Sequence, residues 1–457
     1  MGRLYCGAAR TLITPSEELL PNLPSFDSAP FGGVLDDIYL RVIAMDNGEQ
    51  KALIISFDLD KAPNPDPWIG ELAVHTGIAE EFILYFGIHV HSSVITSKRP
   101  FEKSHDISRK PPEVQKAAAK YEEWLKEKLF DAVDRALHEM KPARMGFGLG
   151  NSYINVNRNQ DYFEYNDAGG KMLAPGIGAN GSAPTDTELA VMRIEDLESR
   201  PIAFFMNYAV HCVVMIWNRD EDGKTWISGD IGGGVSRYME QKFPGSIAVW
   251  SSGAAGDLNP IMMNQIYYPE PQTGICTCKR LQGLEVCSVM LKTLTARHFQ
   301  DVMKVVSGIK CTEEMIQISG MIEWSETPGC QRVFDESGRY VRELTGEDQP
   351  PYRIRLHLLR IGSVALFGVN GELYSSLGKA VKNMALMKNT VVINHDASLV
   401  PGNPGYIYDD ETIERVCCMD GVAAPERIPG TRNFRARKGD TLPSLRIHIK
   451  NMFEHVL

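Results

Sequence analysis

Apolar positions in this chain fall mainly in short β-branched or apolar runs. Tyr39–Met45, Ala52–Phe57, Phe82–Ile88, Ile202–Val210, Ser246–Trp250, Arg353–Arg360, Val364–Val369 and Thr390–Ile393 are such runs. Each is bounded by turn residues and rich in β-branched or aromatic side chains, so each reads as a strand buried on both faces. Between them lie stretches with helical spacing. The clearest is Glu113–Met140, with apolar residues at Val114, Ala118, Tyr121, Leu125, Leu129, Val133 and Leu137; Pro111 and Pro112 precede it and Pro142 follows. Gly233–Lys242, Leu281–His298, Leu373–Met387, Asp410–Cys417 and Leu445–Phe453 read as further helices. The polar, Gly-rich stretch Asn166–Thr187 reads as a long loop. Strands and helices mixed along the whole length predict an α/β (mixed α+β) fold with covered mixed sheets. No repeat and no Pro/Gly/Ser linker divides the chain, so one large domain over 1–457 is expected.

A chain of 457 residues can bury a core without disulfides or metals as staples. It carries 48 Lys plus Arg against 58 Asp plus Glu, a net charge of −10, which is not the footprint of a nucleic-acid binder. No polybasic stretch suits an anionic membrane. The longest apolar run, Ala203–Trp217, is short for a membrane span and contains Asn207 and His211, so no integral membrane association is expected. The 9 cysteines form no recognisable disulfide framework and read as reduced thiols. The opening MGRLYCGAARTLITP has no apolar signal core. A cytoplasmic protein is the expectation.

Five stretches could carry chemistry. In FILYFGIHVHS, His89 and His91 are two apart at the end of a strand-like run, which places both rings on one face. From spacing alone they read first as an exposed edge histidine and a hydrogen-bonded core one, with a metal site as the alternative. In FFMNYAVHCVVM, His211 sits in an apolar run and must be hydrogen-bonded or bound. WSSGAAGDLNP ends a strand in a small-residue turn with Gly253, Gly256 and Asp257; it is either a backbone cradle with an orienting carboxylate or a tight structural turn. In VALFGVNGEL, Glu372 stands either at the mouth of a sheet or in the first turn of a helix. NHDASLVPGNPGYIYDDE is a Gly/Pro-rich loop with His395, Asp396, Tyr406 and Tyr408.

In this order, these segments resemble the catalytic domain of the neutral/alkaline, non-lysosomal ceramidase family. GAARTLITP resembles that family's first strand, and FGGVLDDIYLRVIAMDNG the segment after it. The resemblance implies one zinc ion per chain, with His89, His211, Glu372 and Tyr406 as ligands and His91 as a catalytic-site histidine. It also implies a catalytic arginine at Arg158, in Asn155-Val156-Asn157-Arg158. Zinc would acidify a water and polarise the scissile carbonyl. His91 would move a proton or bond the oxyanion, and Arg158 would hold the developing charge.

Two departures shape the expectation. The family's Gly-Asp-x-Ser-Pro reads Gly256-Asp257-Leu258-Asn259-Pro260 here. An amide cannot accept an acyl group, so hydrolysis would go by metal-activated water, with Asp257 and Asn259 in supporting roles. A later family tyrosine falls in Arg415-Val416-Cys417-Cys418, where there is none. The family's signal peptide and immunoglobulin-like domain are also without counterpart in the 457 residues, which points to a small or soluble amide. The expected function is therefore a zinc-dependent hydrolase of an N-acyl amide bond, on a small-molecule or lipid-like amide. The alternatives are a zinc-dependent esterase, lactonase or deacylase, or a metal-binding pseudoenzyme.

Overall fold

The computed structural model describes residues 1–20, 29–95, 110–165, 171–273, 276–281, 283–334, 340–346, 349–397, 404–417 and 434–457. Its largest element is an 8-stranded mixed sheet. From one edge to the other, its strands are Ile247–Ser252, Pro201–Tyr208, Glu188–Asp196, Lys141–Asn151, Tyr5–Leu12, Tyr39–Asp46, Lys51–Phe57 and Ile83–Gly87. The two edge pairs are parallel and the inner pairs antiparallel. A second, 4-stranded sheet runs Ile318–Thr327, Tyr352–Ile361, Val364–Val369, Asn389–Ile393.

Alternation inside the apolar runs explains the layering. Leu40, Val42, Leu53, Ile55, Ile83 and Tyr85 face a core closed by the helices Pro65–Thr76 and Pro112–His138. Their neighbours Ile43, Met45, Ile54, Leu84 and Phe86 face a different core, shared with the helices Asp230–Lys242 and Leu284–Gly308. Leu359, Ile361, Val364 and Leu366 of the second sheet join that same core. The second sheet's other side, with Leu356, Leu358, Phe367 and Val369, is covered by Ser375–Met384 and Thr441–Val456. With both faces covered, no regular polar alternation is needed, and the strands read as mainly apolar runs. This is the mixed α/β fold with covered sheets that the sequence predicts.

Three expectations are corrected. The loop expected over Asn166–Thr187 contains a strand, Lys171–Asn180, paired antiparallel with Asn155–Tyr165. Cross-strand pairing supplies what the Gly- and Pro-rich local sequence does not signal. The helix expected over Leu373–Met387 begins only at Ser375; Glu372 and Leu373 instead form a short strand. The helix Pro65–Thr76 was not anticipated, although Pro65 at its start and Gly77 just past its end, at φ 71°, are stop signals of the usual kind.

Cys6, Cys212, Cys278, Cys287, Cys311 and Cys330 are free thiols. No helix among the described residues is long and apolar enough to cross a membrane.

Candidate metal centre

The chemistry-bearing segments leave the sheets at strand carboxyl ends. Asp60 follows Lys51–Phe57, His89 and His91 follow Ile83–Gly87, and His211 follows Pro201–Tyr208. Asp257 follows Ile247–Ser252, Glu372 follows Val364–Val369, and His395 follows Asn389–Ile393. Carboxyl ends of parallel strands are where open α/β sheets gather ligands. Short pairings then bring distant segments together. Glu372–Leu373 pairs with Tyr406–Ile407, setting Glu372 opposite Tyr406. Leu258–Pro260 pairs with Asn155–Tyr165, setting Asn259 opposite Val156, beside Arg158.

Two glycines permit this packing. A Cβ on Gly256 would lie 2.6 Å from the Glu372 carbonyl oxygen, and one on Gly371 would lie 2.6 Å from that of Gly405. The Gly256 N–H donates to the Leu373 carbonyl at 2.9 Å. Here the glycine-rich turn serves close backbone approach within the fold.

His89, His211 and Glu372 form a buried group whose ligand atoms all lie within 4.8 Å of one another. Glu372 Oε2 is 3.2 Å from His211 Nε2 and 3.6 Å from His89 Nε2. The His211 Nδ1–H donates to the Leu258 carbonyl at 3.0 Å, so Nε2 presents its lone pair to the carboxylate. Two lone-pair-bearing atoms facing each other in a buried pocket need a shared proton or a metal ion between them, and two imidazoles with one carboxylate are a donor set that suits a divalent ion. Tyr406 completes the ring of candidates. Its ring stacks on His211 at 6.4 Å, and its hydroxyl feels the charges of Arg158 and Glu372. Burial pushes that hydroxyl's pKa up, against the pull of Arg158.

The strand expected to carry His89 and His91 ends at Gly87. His89 instead adopts φ 67°, yet the two rings still converge, 4.8 Å apart. Arg158 is buried. Its Nη2 donates to the Gly256 carbonyl at 2.6 Å and its Nη1 to Asn259 Oδ1 at 3.3 Å, with the guanidinium 5.2 Å above the Tyr406 ring. Asp257 is engaged by Asn157 and Ser375. It accepts from Asn157 Nδ2, from the Ser375 amide and from the Ser375 hydroxyl, at 2.8, 2.7 and 2.8 Å. It thereby ties the Arg158 strand to the start of the helix Ser375–Met384.

Two residues of the cluster had no role in the sequence reading. Asp60 Oδ1 lies 3.8 Å from His91 Nε2 and 3.9 Å from His89 Nε2. Its one signal was an acidic residue just past an apolar strand. His395 was noted only as a loop residue; at φ 64° its ring packs edge-on against His89 at 4.2 Å. Cys418 lies outside the described residues.

Burial pushes all these imidazoles toward the neutral form, His91 down to about 3 and His395 down to about 4, with His89 and His211 held well below the ordinary histidine value. Between those values and about pH 6.5 the unfolded chain binds protons that the folded chain refuses, so stability rises with pH across that window. Chelator-treated protein should therefore lose stability as the pH falls below about 6.5. Urea midpoints at pH 7.5 and pH 5 measure this, and equal midpoints would mean that the rings are solvated.

The fold and this cluster together define a mixed α/β protein with a buried histidine–carboxylate centre at the strand carboxyl ends. No protein-family model matches the chain, and no curated protein sequence matches it. Among solved structures, it resembles neutral ceramidase from Pseudomonas aeruginosa, with a TM-score of 0.68 and 12% identity over 98% of this chain and 74% of that one. It also resembles a ceramidase complexed with C2, with a TM-score of 0.67 and 12% identity over the same shares. The chain has the ceramidase fold.

Proposed function

We propose that this chain is a metal-dependent hydrolase of an N-acyl amide bond, with zinc as the ion and a small or lipid-like amide as substrate. The observation that carries the reading is the buried approach of His89, His211 and Glu372, with the His211 Nε2 lone pair turned to the carboxylate. The likeness to a neutral ceramidase supports the choice of an amide bond.

His89, His211, Glu372 and Tyr406 would hold the ion, which when bound acidifies a water and polarises an acyl carbonyl. The remaining chemistry belongs to the chain. Arg158, fixed by Gly256 and Asn259, keeps a permanent positive charge beside Tyr406, where negative charge builds on the carbonyl oxygen. His91 is neutral and buried, and so able to take a proton at a ring nitrogen and pass it to the leaving nitrogen. Asn259 accepts from Arg158 and holds it in place, and Asp257 anchors the strand that carries Arg158. With an amide at position 259, no acyl group is carried on that side chain.

The test is a panel of matched substrates: anilides and phenyl esters of the same short and long acyl chains. Hydrolysis of the anilides is expected. Arg158→Met should lower it by about 10²–10³-fold while leaving the metal content unchanged. Turnover confined to the esters would overturn the amide assignment in favour of an esterase. No turnover by the metal-loaded chain would leave a binding protein.

A further inference from the structure

Asp60 has no part in the chemistry just described, yet it forms a second buried group of its own. Its Oδ1 and the Nε2 atoms of His89 and His91 all lie within 4.8 Å of one another. Ligands about 2.0–2.2 Å from one zinc-sized ion can stand no more than about 4.4 Å apart. Among the described residues, Asp60 and Glu372 do not fall into one group with His89, although each does so separately. The two carboxylates therefore flank His89 and address different points in space. His395 adds to the polarity there: it is 1% exposed, its two ring nitrogens have no hydrogen-bond partner among the described residues, and its ring lies 4.2 Å from that of His89.

We propose that the chain has a second divalent-cation position beside the first, with Asp60 Oδ1 and His91 Nε2 as its protein ligands. Their 3.8 Å separation fits two ligands of one ion, and solvent completes the shell. His89 Nε2 has a single lone pair and stays with the first ion, where it joins His211 and Glu372. One carboxylate oxygen and one imidazole suit a first-row divalent ion such as zinc or manganese. With two protein ligands, this position binds more weakly than the first, and His91 Nε2 has its lone pair for the proton role only while this position is empty. The proposal rests on the metal-centre reading above.

Zinc titrated into the chelator-stripped full-length chain tests it, read as bound zinc per chain at fixed free zinc. The wild type should take up a tight equivalent and then a weaker one. Asp60→Asn should lose the weaker equivalent and keep the tight one. Glu372→Gln should lose the tight one and keep the weaker. His91→Gln should match Asp60→Asn and carries the test if that variant fails to fold. A wild type with one equivalent in total, or an Asp60→Asn uptake curve identical to that of wild type, overturns the second position. If instead Glu372→Gln and His211→Ala both keep the tight equivalent, the first-site reading falls, and the second position with it.

Discussion

His211→Ala should leave the purified chain without its tightly held divalent ion. His211 Nε2 makes the closest approach to Glu372 of the histidines around that carboxylate, at 3.2 Å, and its other nitrogen is already committed to the Leu258 carbonyl. The ring is fully buried. Removing a mere supporting partner of a ligand costs roughly 10–100-fold in metal affinity, so removing the ligand itself should cost more than about 100-fold. Zinc content after dialysis measures it, wild type beside variant. A second readout follows from linkage. Wild type should gain about 2.7 kcal/mol of stability at zinc concentrations near 100 times its dissociation constant, and the variant should gain less than about 0.4 kcal/mol from that position. Equal zinc content in the two proteins would remove the metal centre from this account.

Asp396→Ala should be the most destabilising single substitution near the site, at about 3–5 kcal/mol. Asp396 is buried between the two sheets. Its Oδ2 accepts from Arg355 Nη1 at 2.7 Å and faces His357 Nδ1 at 3.0 Å, and its Oδ1 accepts from the Tyr85 amide at 3.2 Å. Its backbone stitches the same seam: the Asp396 amide donates to the Val369 carbonyl and that of Ala397 to the Tyr85 carbonyl. Truncation strands the Arg355 guanidinium, which is 5% exposed, without its counterion, and a buried unpaired charge is what makes such losses large. The pH dependence has a definite sign. Burial would raise the Asp396 carboxyl, but His357 and Arg355 outweigh it and hold it below the usual carboxylate range. Its contribution is therefore present above about pH 4 and is lost as the pH falls through the lower folded value. The urea midpoint of Asp396→Ala against wild type at pH 7 and pH 3 measures both effects. A deficit under about 1 kcal/mol at pH 7 would mean that the network is solvated. Because His395 is the preceding residue, the variant should also loosen the ring that packs on His89.

Much of the architecture was written in local pattern. Val42, Ile43, Ala44 and Met45 are apolar in succession because the strand they occupy is covered on both sides. The stripe from Ala118 to Val133 repeats at helical spacing because one side of that helix lies on the sheet. The candidate ligands stood out for a related reason: histidines inside or just past apolar runs demand a partner, and His89, His91 and His211 all sit that way.

Asp60 was silent because an acidic residue after a strand is ordinary, and only the folded chain shows its oxygen turned toward two imidazoles. The strand Lys171–Asn180 was silent because its composition is that of a loop, and its partner Asn155–Tyr165 supplies the ordering. Nor could spacing show that Glu372 lies opposite Tyr406, since that register is a contact between segments with no shared period. The sequence by itself determined the element types, the buried faces and most of the side chains able to bind an ion. Tertiary structure alone decided which of them meet, because hydrophobic periodicity acts over a few residues while convergence on a point depends on strand order and pairing across hundreds.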